Sequence, residues 1–260
     1  MAAQGFTAPT PAYWEDSWQA SSATADRAGY LAACSVFDPV LAPLLAGAPG
    51  RAALEVGCYP GGFLHHLGTR FGYEVSGIDV VPGTDALADT LGGEGVQVGK
   101  IWRGDFLTEA PRPEFDLVCS FGFVDHFDDP GFVISRHAQW LAPGGLLVVT
   151  VPHFRRAQWL LHRWLDRRSL NAHNLAAMSP AVFASAFAEA GVAPVHLRRF
   201  GTCEFWVEPD PDRSHTREQV AALAAAALGK AGSVAKRLAG PAGVPNPLMS
   251  PFLVAVGRRR

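Results

Sequence analysis

The sequence predicts an α/β domain: a mostly parallel sheet covered by helices on both faces. Two observations carry that expectation. Short apolar runs alternate with helix-like segments every 20–30 residues between positions 52 and 151. Such alternation calls for crossover connections and a parallel sheet buried on both sides. The first run also ends in a glycine turn that opens a helix, and the second ends in an aspartate.

The elements follow in order. Residues 1–50 read as mainly helical, interrupted by Pro39, Pro43 and Pro49, and are expected to form an N-terminal helical cap. The domain proper is expected over 51–260. Residues 52–57 (AALEVG) form a buried strand, and 61–71 a helix with Phe63, Leu64 and Leu67 on one side. Residues 73–78 form the second strand, 84–92 the next helix, 96–103 the third strand and 115–120 the fourth. A helix across 131–141 runs into the turn Pro143-Gly144-Gly145, and 146–151 (LLVVTV) is the fifth strand.

Beyond it, 154–168 reads FRRAQWLLHRWLDRR. Ala157, Leu160, Leu161, Trp164 and Leu165 fall on one helical face, with Arg155, Arg156, Arg163 and Arg167 on the rest. This predicts a helix packed through its apolar stripe with a solvated basic face. A substrate lid, a docking face for an acidic carrier protein and a membrane-surface helix are the alternatives. Residues 179–191 predict a helix with Ser179 as cap, Pro180 at its first position and Gly191 at its end. Strands are expected at 194–200, extending toward 207, and at 251–257. An Ala-rich helix broken near Gly232 lies between them, so helical insertions are expected at about 154–178 and 212–247.

Composition narrows the function. The chain has 260 residues, 48% hydrophobic and 18% charged, enough for a substantial core. Its net charge of −2 argues against nucleic-acid binding, which usually needs a basic excess. Cys34, Cys58, Cys119 and Cys203 lie far apart with no C-x-x-C pair, so neither zinc nor a disulfide framework is expected. No metal is expected, and a reducing cytoplasm is the natural setting. No apolar run suggests a membrane span, and the N-terminal MAAQGFTAPTPAYWEDSW lacks the basic and apolar regions of a signal peptide.

In parallel sheets, ligands bind outside the carboxyl ends of the strands. The residues to question are therefore 57–62, Asp79, Asp105, 121–126 and 152–153. Glycines after the first strand let a ligand approach the backbone, and the helix they open adds unpaired N–H donors. An acid after the second strand can accept both hydroxyls of a ribose. A dinucleotide fingerprint would need a glycine where this chain has Tyr59. Instead Glu55-x-Gly57-x-x-x-Gly61 resembles the first motif of the class I S-adenosylmethionine-dependent methyltransferases. The resemblance continues through Gly104-Asp105-Phe106, 115–120, the loop Val124-Asp125-His126-Phe127-Asp128-Asp129-Pro130, and the Pro143-Gly144-Gly145 turn. Tyr59 departs from the family pattern, which usually has a glycine there.

The resemblance implies a Rossmann-like, seven-stranded, mostly parallel sheet whose last strand is antiparallel. It implies S-adenosylmethionine as cofactor and S-adenosylhomocysteine as product. By position, Glu55, Gly57, Tyr59 and Gly61 would belong to the cofactor site, with Gly57, Tyr59 and Gly61 lining the methionine part. Asp79 would hold the ribose, Val80 would lie against the adenine, and Asp105 and Phe106 would flank it. Ser120, Phe121 and Gly122 would border the sulfonium. Tyr13, Trp14 and Trp18 resemble the aromatic segment that folds over the cofactor, and aromatic faces attract a cation.

The implied activity is O- or N-methylation of a small organic molecule, in a specialised-metabolite tailoring role. A same-fold enzyme for a non-methylating reaction such as cyclisation, and a non-catalytic binding subunit, are the alternatives. Carrier-protein docking and a homodimer stay open as partners. Methyl transfer is an in-line displacement, so alignment comes first, and a base matters only when the acceptor carries a proton. Of nine histidines, His126 follows the fourth strand and His153 the fifth, and both are expected at the cleft as base candidates. Asp125 could orient His126 or cap a helix. His173 and Asn174 lie in a segment expected to fold near the pocket.

Overall fold

Residues apolar on both faces put the first strand at the centre of the sheet. In the computed structural model, which describes residues 9–10, 12–14, 27–46, 50–207, 210 and 213–260, β1 (Ala52–Val56) lies between β2 (Glu74–Asp79) and β4 (Phe115–Phe121), parallel to both. β3 (Val98–Arg103) flanks β2 and β5 (Leu141–Pro152) flanks β4, again in parallel. β6 (Val192–Phe200) pairs antiparallel with β7 (Phe252–Arg259), which pairs antiparallel with β5. The order is β3-β2-β1-β4-β5-β7-β6, so the last strand alone runs against the rest. This is the seven-stranded Rossmann-like sheet implied above. The chain winds outward from β1 to β3 and then crosses back to β4, leaving a crevice beyond the ends of β1 and β4.

Helices bury apolar stripes on each face. On one, α1 (Arg27–Ala33), a 3-10 turn (Cys34–Phe37), α2 (Asp38–Leu45), α3 (Gly62–Phe71) and α4 (Leu87–Gly93) surround the sheet. Phe37, Leu41, Leu64, Leu67 and Leu91 pack there on Val75, Leu117 and Val148. The other face carries α5 (Pro130–Gln139), two short helices α6 (Ala157–Leu165) and α7 (Arg167–Ala172), and α8 (Pro180–Glu189). Ile134, Phe183 and Phe187 pack there on Val118, Leu147 and Ala255. The helix α9 (His215–Ala239) lies in the long connection between β6 and β7.

Several local expectations change. β5 opens at Leu141, and residues 143–145 stay within the strand across a register shift between Phe115 and Leu117 of β4. Pro82–Ala86 is a 3-10 turn that precedes α4. Ser179 stands at the N-cap of α8 without a side-chain hydrogen bond. β6 ends at Phe200 rather than running toward 207. α9 is unbroken, and Gly232 serves packing instead: a Cβ there would lie 2.6 Å from the Cys203 carbonyl oxygen of the preceding loop.

α6 reverses its expected faces. Leu160 and Trp164 are exposed, whereas Gln158 and His162 are buried. Polar anchoring decides this. The Gln158 amide donates to the carbonyls of Glu204 and Met249, and His162 lies against Phe154 with ring centroids 3.8 Å apart. The basic stripe does not continue past Leu165. Asp166 breaks the helix, and its carboxylate accepts from Arg213 at 3.0 Å.

One stretch, Arg27–Leu45, has the length (19 residues) and mean hydropathy (1.5) of a membrane-crossing helix, against the sequence expectation. Its residues Phe37, Leu41 and Leu45 are buried in the core of this domain, and 22% of the stretch is buried in all.

Candidate active site

The crevice beyond β1, β2 and β4 is a cleft of about 310 Å³. Gly57, Tyr59, Asp79, Val80, Asp105, Phe106, Phe121 and His126 line it, together with Trp14. The folding of the strand tips explains each placement. The Gly57 N–H donates to Ile78 O at 2.9 Å, continuing the β1–β2 pairing into the turn. Gly57 has φ +73°, and a Cβ there would lie 2.7 Å from Phe123. Only glycine combines that backbone with that neighbour. Gly61 caps α3 in the left-handed region beneath the turn and does not line the cleft.

Asp79 ties two loops together. Its Oδ2 accepts the Tyr59 N–H at 2.9 Å and its Oδ1 the Val81 N–H at 3.1 Å. Burial raises its carboxyl pKa, and the three backbone donors of Tyr59, Val81 and Val80 oppose the rise. The Tyr59 ring packs over Gly83 in the turn after β2. The residue that departs from the family pattern therefore closes one wall of the cleft.

Glu55 lies beneath the turn, buried, and accepts from the Leu64 N–H near the start of α3. Burial, reinforced by the charge of Asp79, holds its carboxyl well above the usual range. Ser120 is also buried, and neither residue lines the cleft. Phe121 does, fixed by stacking on Phe63 with centroids 3.7 Å apart. Asp105 caps its own turn by accepting from the Leu107 N–H at 2.9 Å. Phe106 packs against His137 and Trp140.

The far end of the cleft is aromatic. Trp14 meets His126 edge-on at 4.4 Å, and Tyr13 meets Trp14 edge-on at 5.1 Å without lining the cleft itself. Trp18 lies outside the described residues. Phe123 and Phe127 also line this end. Both lie in the segment after the fourth strand that the sequence marks as facing the ligand side (121–126 and the loop 124–130), although neither has an individual role assigned from sequence.

His126 Nδ1 faces the Ala172 carbonyl at 2.8 Å. The segment after α7 is held to this loop by Asn174. Its amide donates to Phe127 O at 2.8 Å, and its N–H donates to Asp125 O at 2.6 Å. His173 thereby comes within 4.5 Å of His126, ring to ring, and Asp125 Oδ2 lies 3.5 Å from His173 Nε2. Burial lowers the His173 pKa to about 4, with His126 adding to the shift and Asp125 opposing it.

His153, expected at the cleft, lies elsewhere. Its N–H pairs with Pro251 O, its Nδ1 faces Ser250 O at 3.1 Å, and its Nε2 accepts from Arg199 at 3.2 Å. It lines a second, basic depression with Arg155, Arg156 and Arg199. Antiparallel pairing of β5 with β7 carries the strand past the switch point before His153 is reached.

Fold and cleft together define an α/β domain with a cleft of small-molecule size across its strand tips. Residues 30–197, more than half of the chain, match the methyltransferase domain family. The chain belongs to that family, and its fold is that of the class I S-adenosylmethionine-dependent methyltransferases. The ubiquinone biosynthesis O-methyltransferase of Xylella fastidiosa (strain M23) is 35% identical over 115 residues, 43% of this chain and 46% of that protein. The protein of the same name from Caulobacter sp. (strain K31) is 34% identical over 103 residues, 38% and 40%. The chain thus spans less than half the length of these curated relatives. Among solved structures, a SAM-dependent methyltransferase from Archaeoglobus fulgidus superposes with TM-score 0.56 at 18% identity, covering 88% of this chain and 94% of that one. Geranyl diphosphate C-methyltransferase from Streptomyces coelicolor A3(2) gives 0.54 at 16%, covering 86% and 79%. These likenesses are of fold.

Proposed function

We propose that the chain transfers a methyl group from S-adenosylmethionine to an oxygen or nitrogen of a small organic molecule. The observation that carries this is the pair Asp79 and Asp105, on successive strand tips, facing one cleft with the Gly57 backbone at the end of β1. The residues fit the cofactor. Asp79 takes three backbone N–H groups on its two oxygens, which leaves acceptor capacity for a ribose hydroxyl. The cleft volume falls at the lower end of the roughly 300–1,000 Å³ usual for small-molecule sites.

The bound cofactor supplies an activated methyl on a sulfonium. Everything else falls to the chain. Asp79 holds the ribose, and Val80 and Phe106 flank the adenine, with Asp105 toward its amino group. Gly57 and Tyr59 line the methionine part, with Glu55 and Gly61 shaping the turn from below and Ser120 supporting Phe121. Trp14, backed by Tyr13, excludes water and offers a ring face to the cation. Of the base candidates His126 and His153, His126 lines the cleft and takes the role when the acceptor carries a proton. We divide the chain into a cap over 1–50 and a catalytic domain over 51–260 with insertions at about 154–178 and 212–247. The curated relatives favour a hydroxyl acceptor. A tailoring role in specialised metabolism and a cytoplasmic setting, which suits four free cysteines, belong to the same reading.

Calorimetry with S-adenosylhomocysteine tests the cofactor, and labelled methyl from S-adenosylmethionine tests transfer. Micromolar binding together with label in an extracted small molecule is expected. Absence of binding would remove the reading. Binding without any labelled product, alongside conversion of the acceptor, would favour a non-methylating reaction such as cyclisation.

A further inference from the structure

Buried carboxylates are costly unless a positive charge or hydrogen-bond donors compensate them. Asp125 is fully buried, and neither of its carboxylate oxygens accepts a hydrogen bond among the described residues. Its neighbour on one side is His173, 6% exposed, and next to that stands His126, 7% exposed. Each imidazole is committed in the same way. His126 Nδ1 meets Ala172 O at 2.8 Å and His173 Nδ1 meets Ser169 O at 2.6 Å. A carbonyl partner makes Nδ1 the protonated nitrogen, so each ring keeps an Nε2 lone pair. Backbone carbonyls play this part for metal-bound histidines in general, fixing tautomer and ring orientation.

One ligand atom from each of Asp125, His126 and His173 lies within 4.8 Å of the others. Ligand atoms around a tetrahedral metal stand about 3.4 Å apart, from bonds of about 2.1 Å. Binding would draw the most widely separated of these atoms together by up to about 1.4 Å. Trp14 against His126 and Phe154 against His173 make the surroundings aromatic and dry.

We propose that Asp125, His126 and His173 form a binding site for a divalent first-row transition metal ion, with open coordination positions toward the cleft that His126 lines. Two neutral imidazoles and one carboxylate suit Zn²⁺, Fe²⁺, Mn²⁺ or Co²⁺ better than Mg²⁺ or Ca²⁺, which favour oxygen ligands. The expectation of no metal rested on cysteine spacing, which does not address a His–Asp set. This inference rests on the reading above only in placing the acceptor beside His126. There it changes how the acceptor is activated. A hydroxyl acceptor held on the ion would be acidified, its O–H pair staying on oxygen and its proton leaving to bulk water through the open side of the cleft. His126 then acts as a ligand, not as a free base.

The test uses the full chain, freed of metal with a chelator and titrated with Co²⁺ alone. One equivalent should bind and produce visible d–d absorption. Asp125→Asn and His173→Gln should each weaken Co²⁺ binding at least tenfold while keeping the far-ultraviolet spectrum of the parent and its binding of S-adenosylhomocysteine. X-ray absorption on the parent loaded with Co²⁺ should count two imidazoles and needs no variant to fold. No stoichiometric Co²⁺, undiminished binding in both folded variants, or fewer than two imidazoles would overturn the proposal. S-adenosylhomocysteine binding by the parent is measured separately, so failure of the cofactor reading cannot be mistaken for failure of the metal site.

Discussion

The Asp79 carboxylate accepts the Tyr59 backbone N–H at 2.9 Å, joining the tip of β2 to the turn that follows β1. One side chain therefore fixes the loop and also faces the cleft. Asp79→Ala should weaken S-adenosylhomocysteine binding at least tenfold, about 1.4 kcal/mol or more. Calorimetry reads this directly, and unchanged affinity would take Asp79 out of the site.

Gly57→Ala forces an L side chain into a left-handed backbone and against Phe123. A stability loss of about 1–2 kcal/mol from the backbone alone is expected, with a further loss from the contact. Adding Phe123→Ala should recover only the contact part. Urea unfolding of the single and double variants separates the two.

Trp14→Ala removes the ring that covers His126. Ligand affinity should fall by about 0.5–2 kcal/mol, the range of a cation–π contact, while the unfolding midpoint stays close to that of the parent. A large drop in melting temperature would instead make Trp14 a clasp.

His137 is buried and bonded to Val133 O, and burial lowers its pKa to about 4. An unfolded histidine titrates near 6.5, so below that pH the unfolded chain binds the extra proton. The stability contribution is complete above about pH 7. It falls as pH drops through 6.5 and levels off below 4. Between pH 7.5 and 5 the loss from this residue is about 2 kcal/mol. His137→Phe should flatten the pH dependence of the urea midpoint by that share, and an unaltered slope would refute the assignment.

Gln158→Ala removes two hydrogen bonds from α6 to the carbonyls of Glu204 and Met249. A loss of about 1–3 kcal/mol is expected from the acceptors left unpaired. Leu160→Ala on the exposed face should cost far less, and equal costs would restore the apolar-stripe orientation.

The centre of the sheet was legible because β1, β2 and β4 are short, largely apolar and bounded by glycine or acid. Asp79 and Asp105 could be placed by counting along such strands. Residues whose position depends on contacts distant in sequence could not be placed that way. Leu160 and Trp164 have the spacing of a buried stripe, yet two carbonyls from separate loops turn Gln158 inward. His153 follows its strand as His126 follows its own, but antiparallel pairing with β7 carries it to another depression. Phe123 and Phe127 fall in the loop that strand counting marks, but no periodicity says which way their rings turn, and only the fold of the loop around His126 brings both to the cleft.

Asn174 bonds the insertion after β5 to the backbone on both sides of His126. A chimera that exchanges this insertion for a relative's would also unmoor the loop after β4. Attempts to re-engineer acceptor choice should therefore transplant the two segments as one cassette, with crossover points outside both.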